Sequence, residues 1–513
     1  MRIGIDVGGT NTDAVLMDGR QVIGAVKTPT TPNVTDGIVT ALRNLLHETQ
    51  LQTANVQAVM LGTTHFTNAV IERKHLSPTA VIRIALPATE ALPPMVDWPE
   101  DLRASLGNNW FLVHGGYEFD GRPIADFDAD EVRAVARQIA DRGIKAIAIS
   151  GVFSPINSEQ EHMAAEIVRE EIPDARITLS SAIGKLSLLE RENAATINAC
   201  LGELADRTVA AFEAALQQLN ITAPFFLSQN DGTLMNSDFA RQYPVLTFAS
   251  GPTNSMRGAA FLSGIKDALV IDVGGTTSDV GMLQNGFPRV ASQAVDIGGV
   301  RTNFRMPDVY SFGLGGGSIV SANPLKVGPQ SVGYELTTKA LIFGGDTLTT
   351  TDIVVAGGYH RIGDPARVAA VAPTLVSQVI DRIADMINIA VERMKTSAEP
   401  IPVVAVGGGS ILIVRPIAGA SEVIKPPHFA CANAIGAAIA QVGGEVDRIF
   451  SLAQMSREEA LNQAKAEAFQ KTAAAGADPN TIQIVDIEEV PLAYLPGNAT
   501  RIMIKAVGDL AIA

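Results

Sequence analysis

A mixed α/β chain built from two related lobes is predicted by three observations: a repeated hairpin signature, alternating helix and strand periods between the copies, and a composition suited to a large core. Residues 3–13 read IGIDVGGTNTD and residues 269–279 read LVIDVGGTTSD. Ile5, Asp6, Val7, Gly8, Gly9, Thr10 and Asp13 recur as Ile271, Asp272, Val273, Gly274, Gly275, Thr276 and Asp279 at one constant spacing. Each copy is an apolar run, an Asp, Gly-Gly-Thr and a second apolar run, which is the pattern of a hairpin with glycines at its tip. Duplication of that unit implies duplication of the lobe that carries it.

Apolar residues make up 47% of the chain and charged residues 18%, which excludes a disordered or fibrous protein. The 513 residues have room for about three domains. With 39 Lys and Arg against 54 Asp and Glu, the formal charge is −15. An acidic body of this kind repels phosphate backbones and anionic membranes, so neither nucleic acid nor a membrane is an expected partner. Cys200 and Cys431 are too few for a disulfide framework and read as core residues of a cytoplasmic protein. The opening MRIGIDV reads as a strand, so no signal peptide is expected, and no apolar run is long enough to span a bilayer.

Between the copies, apolar spacing predicts helices over 36–50 and 128–142, a buried strand over 144–152 (IKAIAISGV) and one long helix over 195–219, closed by Asn220 and the Pro224 segment. The Gly-, Thr- and Pro-rich stretch 287–360 predicts strands and loops. A helix over 374–396 leads into a strand, Ile401 to Val406, and then into Gly407, Gly408 and Gly409. A helix over 456–475 and strand-like runs at 482–490 and 501–507 predict a small terminal α/β subdomain. The expected division is 1–80 for the first part of the N-terminal lobe, 81–265 for an inserted α/β region with connecting helices, 266–445 for the second lobe and 446–513 for the terminal subdomain.

Glycines at a hairpin tip permit backbone conformations that point successive N–H groups at one anion, and no side chain obstructs them. Gly8, Gly9, Thr10 and Asn11, with Gly274, Gly275, Thr276 and Thr277, are therefore candidate phosphate cradles. Asp6 and Asp272 stand at strand ends, where a carboxylate can hold Mg²⁺ through water. Asp13 and Asp279, just past the tips, are expected to face the same cleft and to orient water or tune the metal. Gly407, Gly408 and Gly409 allow a flat ligand such as adenine or ribose to approach the backbone. Neither GxGxxG nor GxxxxGK(S/T) is present, which argues against a Rossmann or P-loop site. No Ser-His-Asp set, HExxH or cysteine cluster offers itself to activate a hydrolytic water. His65 reads either as a packed or solvated loop residue or as a substrate-facing acid. Glu190, Arg191 and Glu192 read as a solvated helix start, with a substrate or phosphate contact by Arg191 as the alternative. Arg301, Asn303 and Arg305 read equally as an anion clamp or an ordinary strand face.

The order DVGGTNTD, IDVGGTTSD, AVGGGS and ANAIGAA (432–438) resembles the phosphate 1, phosphate 2, adenosine and second connecting motifs of the actin-like ATPase fold, shared by sugar kinases, actin and the Hsp70 chaperones. Within that fold the chain resembles the A-type subunit of the hydantoinase/oxoprolinase family. The resemblance runs through GTTHFTNAVIER (62–73), RENAATINA (191–199), ASGPTNSMRGA (249–259) and GLGGGSI (313–319), and covers nearly all of 1–445. It implies ATP and Mg²⁺ in a cleft between the lobes, with Gly315, Gly316 and Gly317 added to the nucleotide site. It also implies phosphorylation of the amide oxygen of a cyclic amide or imide, such as hydantoin or 5-oxoproline. A second, B-type subunit would complete hydrolysis; a homo-oligomer is the alternative assembly. Where many family members carry VGP-x-SAG-x-x-PGPACYG, this chain has KVGPQSVGYELTTKALIFGG (326–345), which leaves the substrate open. A short form without a fused B-type region is expected. Small-molecule kinases and nucleotide-regulated activators or chaperones share the fold and are the alternative functions.

Overall fold

In the computed structural model, the described residues are 1–8, 10–29, 34–183, 186–291, 295–303, 306–493 and 497–511. The first hairpin pairs Arg2–Val7 with Asn11–Asp18, and Ala58–Thr63 runs parallel beside its first strand. Both faces of this sheet are covered, so the strands read as nearly continuous apolar runs. Ile3, Ile5 and Leu16 pack on Leu42 and Leu45 of the helix Val34–Thr49, while Val15 and Met17 pack on Ile435 of the helix Ala432–Ala438. The second hairpin, Ala268–Val273 with Ser278–Gln284, repeats the arrangement, with Ile401–Val406 parallel beside it. Its cover is the helix Pro373–Met394, whose Val379, Ile380, Ile383, Ile387 and Val391 fall on one stripe. Each such side chain contributes about 1.5–3 kcal/mol of burial. This is the actin-like ATPase fold, two hairpin-headed lobes whose tips approach each other.

The lobes are joined by two helices, Ser250–Ser263 and Ala432–Ala438, that cross at backbone contact. A side chain at Gly258 would collide with the Ala432 carbonyl, and one at Gly436 with the Asn254 carbonyl. The first helix packs Met256 and Ala259 on Val270 and Val404 of the second sheet, and the other lies on the first sheet. ANAIGAA therefore belongs by contact to the first lobe, although its sequence position lies among second-lobe residues. The expected tail elements form as the helix Arg457–Ala474 and the strands Gln483–Pro491 and Ala499–Gly508. Their strands continue the nine-stranded first sheet through Gln441–Ser451 and Thr233–Asn236.

The inserted region is a parallel sheet of Asn109–His114, Thr79–Leu86, Ala146–Gly151 and Arg176–Leu179. The single helix expected over 195–219 is corrected to two, Leu188–Cys200 and Gly202–Gln218. Arg176 explains the break: its Nη1 donates to the Gly202 carbonyl at 2.8 Å, and a Cβ at Gly202 would lie 3.0 Å from its Nε. Glu190, Arg191 and Glu192 lie inside the first of these helices, and Arg191 and Glu192 are buried rather than solvated. Arg191 Nε donates to Ser180 Oγ at 2.9 Å and its Nη1 to the Leu186 carbonyl at 2.9 Å, so the guanidinium is a structural tie. Glu192 accepts two bonds from the buried Arg83, Nε at 2.7 Å and Nη2 at 2.6 Å, and one from Ser150 Oγ at 2.6 Å. Arg83→Met leaves that carboxylate buried without its cation and is expected to cost about 3 kcal/mol, read as a lower urea midpoint. An unchanged midpoint would contradict the pairing.

Candidate functional site

Both hairpins close in the same way, Gly8 N–H donating to the Asn11 carbonyl at 3.0 Å and Gly274 N–H to the Thr277 carbonyl at 2.9 Å. Antiparallel register sets Asp13 directly opposite Asp6 and Asp279 opposite Asp272, so each pair shares one face of its hairpin. The two tips touch: a Cβ on Gly275 would lie 2.7 Å from Thr10 Oγ1. Gly9, expected in the first cradle, lies outside the described residues. The described tip glycines serve close approach and not special dihedrals, since Gly8, Gly274 and Gly275 are absent from the left-handed region.

The four aspartates form one electrostatic unit. Burial, then Asp13, then Asp272 push the Asp6 carboxyl up to about 7. Burial likewise pushes Asp279 up to about 6, with Asp272 adding to it, although the Ser311 hydroxyl bonded to its carboxylate opposes the change. Burial also raises Asp13 and Asp272. Two groups absent from the sequence expectations hold the cluster. Lys27 Nζ sits 2.7 Å from the Asp13 carboxylate, and Asn433 Nδ2 donates to Asp6 Oδ2 at 3.3 Å.

Gly407 adopts φ +80°, its N–H donates to the Phe429 carbonyl at 2.9 Å, and any side chain there would strike Asp272 Oδ1. Gly409 rests on the Gly274 carbonyl, whereas Gly408 is exposed and faces open space. The adenosine-type loop is thus seated on the second hairpin with one glycine presented outward. Gly315, Gly316 and Gly317 are buried behind that hairpin, which corrects the expectation that their amides meet a ligand. Gly316 N–H donates to the Gly274 carbonyl at 3.0 Å, Gly317 N–H to the Gly275 carbonyl at 2.7 Å and Gly315 N–H to Ser318 Oγ at 2.9 Å. Their work is to brace the tip.

Gly62 is the register partner of Asp6 and Thr63 of Val7, so Thr64 and His65 leave the sheet beside the first hairpin tip. Ser250 Oγ donates to the Thr63 carbonyl at 3.3 Å, and Ala249, just before that helix, adopts φ +58°, a strained conformation for alanine. Burial, His75 and Arg207 lower the His65 pKa. Arg301 stands 3.7 Å from Glu190 on the surface and Asn303 Nδ2 donates to Ser187 Oγ at 2.9 Å, so these two tie the strand to the insert; Arg305 lies outside the described residues. Cys200 and Cys431 are both buried.

The donor set fits a hard cation such as Mg²⁺. The carboxylates face one lysine, and Asn254, fully buried, has a side-chain oxygen without a hydrogen-bond partner, while the buried Ser255 hydroxyl bonds the Asp272 carboxylate. Asn254 Nδ2 and Asp6 Oδ1 both crowd Gly62, at 2.6 and 2.8 Å from where its Cβ would stand, so Asn254 lies at the floor of the cluster. Among the described residues no three carboxylate, imidazole or thiol groups are placed together to enclose a metal directly.

Raised carboxyls make folding pH-dependent. The folded chain holds protons that the unfolded chain, with ordinary carboxyls near 3.8, releases, so stability falls as pH rises from about 4 through 7. A tenfold difference in the acidity of one carboxyl between the two states is worth about 1.4 kcal/mol of stability. The Asp6→Asn, Asp279→Asn double variant is expected to gain on the parent in melting temperature from pH 5 to pH 8. A constant difference would show that these carboxyls titrate in their ordinary range.

Paired phosphate-type hairpins, facing aspartates and a glycine loop seated on one of them define an ATPase-fold protein of the actin-like class. Residues 2–172 match the hydantoinase/oxoprolinase N-terminal region and 191–361 match the hydantoinase/oxoprolinase domain. The chain belongs to the hydantoinase/oxoprolinase family. It is 26% identical to the caprolactamase subunit alpha of Pseudomonas jessenii, over 76% of this chain and 60% of that one. It is 28% identical to the acetophenone carboxylase gamma subunit of Aromatoleum aromaticum, over 70% and 53%. The chain thus spans little more than half the length of these relatives. The crystal structure of the ATP-dependent caprolactamase of Pseudomonas jessenii superposes with a TM-score of 0.80 at 19% identity, covering 99% of this chain and 87% of that one. Nucleotide-free acetone carboxylase gives 0.71 at 17%, covering 100% and 88%. Among the described residues, no helix is long and apolar enough to cross a membrane.

Proposed function

We propose that this chain binds ATP between its lobes and uses it to phosphorylate the amide oxygen of a cyclic amide or imide, as the ATP-binding subunit of a ring-opening hydrolase. The observation that carries the reading is the charge coupling of four aspartates, Asp6 and Asp13 buried and Asp272 and Asp279 half-buried, on two duplicated hairpins with tips in contact, in a chain of this family. Asp6 and Asp272 would hold Mg²⁺ through water, with the unpartnered Asn254 oxygen as an acceptor for its hydration shell. The ion would supply neutralisation of phosphate charge. Tip amides and the Thr10, Thr276 and Thr277 hydroxyls bind phosphate oxygens, and the Gly408 face takes the nucleoside. Thr64 and His65 border the corner where the cyclic amide lies. Its oxygen attacks the γ-phosphorus, ADP leaves, and the ring N–H proton passes to Asp13 or Asp279, whose raised pKa suits a carboxylate to receive a proton. A second subunit supplies the hydrolytic step, in keeping with relatives named as subunits.

The test is phosphate release from Mg²⁺-ATP with hydantoin, 5-oxoproline and caprolactam, with and without a candidate second subunit. Release stimulated by one of these amides, with ring opening only when the second subunit is added, is the expected result. A stable phosphorylated product would identify a kinase instead, and full ring opening by the isolated chain would remove the need for a second subunit.

A further inference from the structure

We propose that Lys27 is a phosphate-contacting residue, its ammonium moored on Asp13 and directed to the terminal phosphoryl group of the bound nucleotide. The inference rests on reading the cleft as an ATP site. Lys27 lies on the third strand, Gln21–Pro29, as register partner of Asp13, which is itself the register partner of Asp6. The three side chains therefore stand in a row on one face of three adjacent strands. A one-residue irregularity between Leu16 and Met17 sets this register. Without it Val26 would oppose Asp13 and the lysine would point to the other face.

Lys27 is also the cation whose charge is felt at Asp6, Asp13 and Asp272. An ammonium group has three donors. Among the described residues its acceptor is the Asp13 carboxylate, and the lysine side chain is 35% exposed while that of Asp13 is 10% exposed. Donors are left over for a ligand. The direction of the nucleotide decides which phosphate they meet. The adenosine-type loop sits on the second hairpin, with Gly407 against Asp272 and Gly409 against Gly274. The nucleoside end thus belongs to the second lobe, and the terminal phosphate faces the first lobe, where Lys27 stands. During transfer the amide oxygen donates a lone pair to form the new O–P bond. The bond from the γ-phosphorus to the β,γ-bridging oxygen breaks with its electron pair leaving on ADP. Lys27 keeps its proton and neutralises charge on the phosphoryl oxygens in flight.

Calorimetry of Mg²⁺-ADP and of a Mg²⁺-bound non-hydrolysable ATP analogue, on the parent, Lys27→Met and Lys27→Arg, separates the roles. Lys27→Met is expected to weaken the analogue at least about tenfold and ADP less than about twofold, and to lower kcat/KM for ATP cleavage by about 10², more than the affinity loss alone accounts for. Lys27→Arg should restore most of the analogue affinity, and a thermal melt monitors folding of each. Equal weakening of both nucleotides, or none, would overturn the proposal and reduce Lys27 to a counter-ion of Asp13. A parent that binds neither nucleotide would remove the ATP reading and this inference with it. A parent that binds and cleaves ATP, with Lys27→Met indistinguishable from it, would sink the inference alone.

Discussion

Asp272→Asn is expected to abolish Mg²⁺-dependent ATP turnover, lowering kcat by at least about 10³, while leaving the chain folded and slightly more stable. Asp272 is the electrostatic centre of the cleft, because its charge raises the pKa of Asp6, Asp13 and Asp279 alike. Asparagine keeps the shape and one oxygen but removes the charge that holds a divalent ion. The same loss relieves repulsion in the ligand-free protein, so the melting temperature should rise where turnover falls. A merely structural aspartate would give the reverse, a less stable chain with proportionate loss of activity. Phosphate release and a melting curve on one preparation distinguish the two, and turnover within tenfold of the parent would rule out the metal role.

The duplicated hairpins were legible because Asp, Gly-Gly-Thr and the flanking apolar runs fix strand, turn and facing positions within eleven residues of chain. Register follows from the turn, so Asp6 opposite Asp13 and Asp272 opposite Asp279 could be read by counting outward from the tips. Lys27 could not. Its place depends on the irregularity between Leu16 and Met17, and QVIGAVKTP otherwise reads as a half-exposed strand with a solvated lysine. Asn433 reaches Asp6 from 427 positions away, and Arg83 meets Glu192 from 109, pairings that no local period reports. The charged triplet at 190–192 looked solvated because burial there requires an arginine and three hydroxyl or carbonyl partners from other elements. The GGGSI loop looked like a ligand cradle for the opposite reason: glycines that let backbone approach a phosphate equally let it approach another backbone, and here the neighbour is Gly274 and Gly275.

Gly407→Ala is expected to lower Mg²⁺-ATP affinity and turnover by about 10³, whereas Gly408→Ala, one residue on, leaves the fold unchanged. Gly407 combines φ +80° with ψ 150°, a region essentially reserved for glycine, where another residue costs about 1–3 kcal/mol. Its added methyl would also strike Asp272 Oδ1 and the carbonyl of Val273, both fixed in the central strand of the second sheet. The strand cannot yield, since Asp272 and Val273 are paired with Asp279 and Ser278 on one side and Asp272 with Val406 on the other. The loop must move instead, lifting Gly409 from Gly274 and separating the nucleoside face from the phosphate tip. Misplacement of about 1 Å already costs about 10² in rate, and the collision falls on the carboxylate assigned to the ion as well. At Gly408 a methyl meets nothing within 4 Å, so that variant reports only direct contact with the nucleoside. The two alanines, compared by calorimetry with ATP and with inorganic triphosphate, separate the contributions. Gly408→Ala should weaken ATP and spare triphosphate, and Gly407→Ala should weaken both. If Gly407→Ala bound ATP within threefold of the parent, the loop would have no part in holding the nucleotide against the second hairpin.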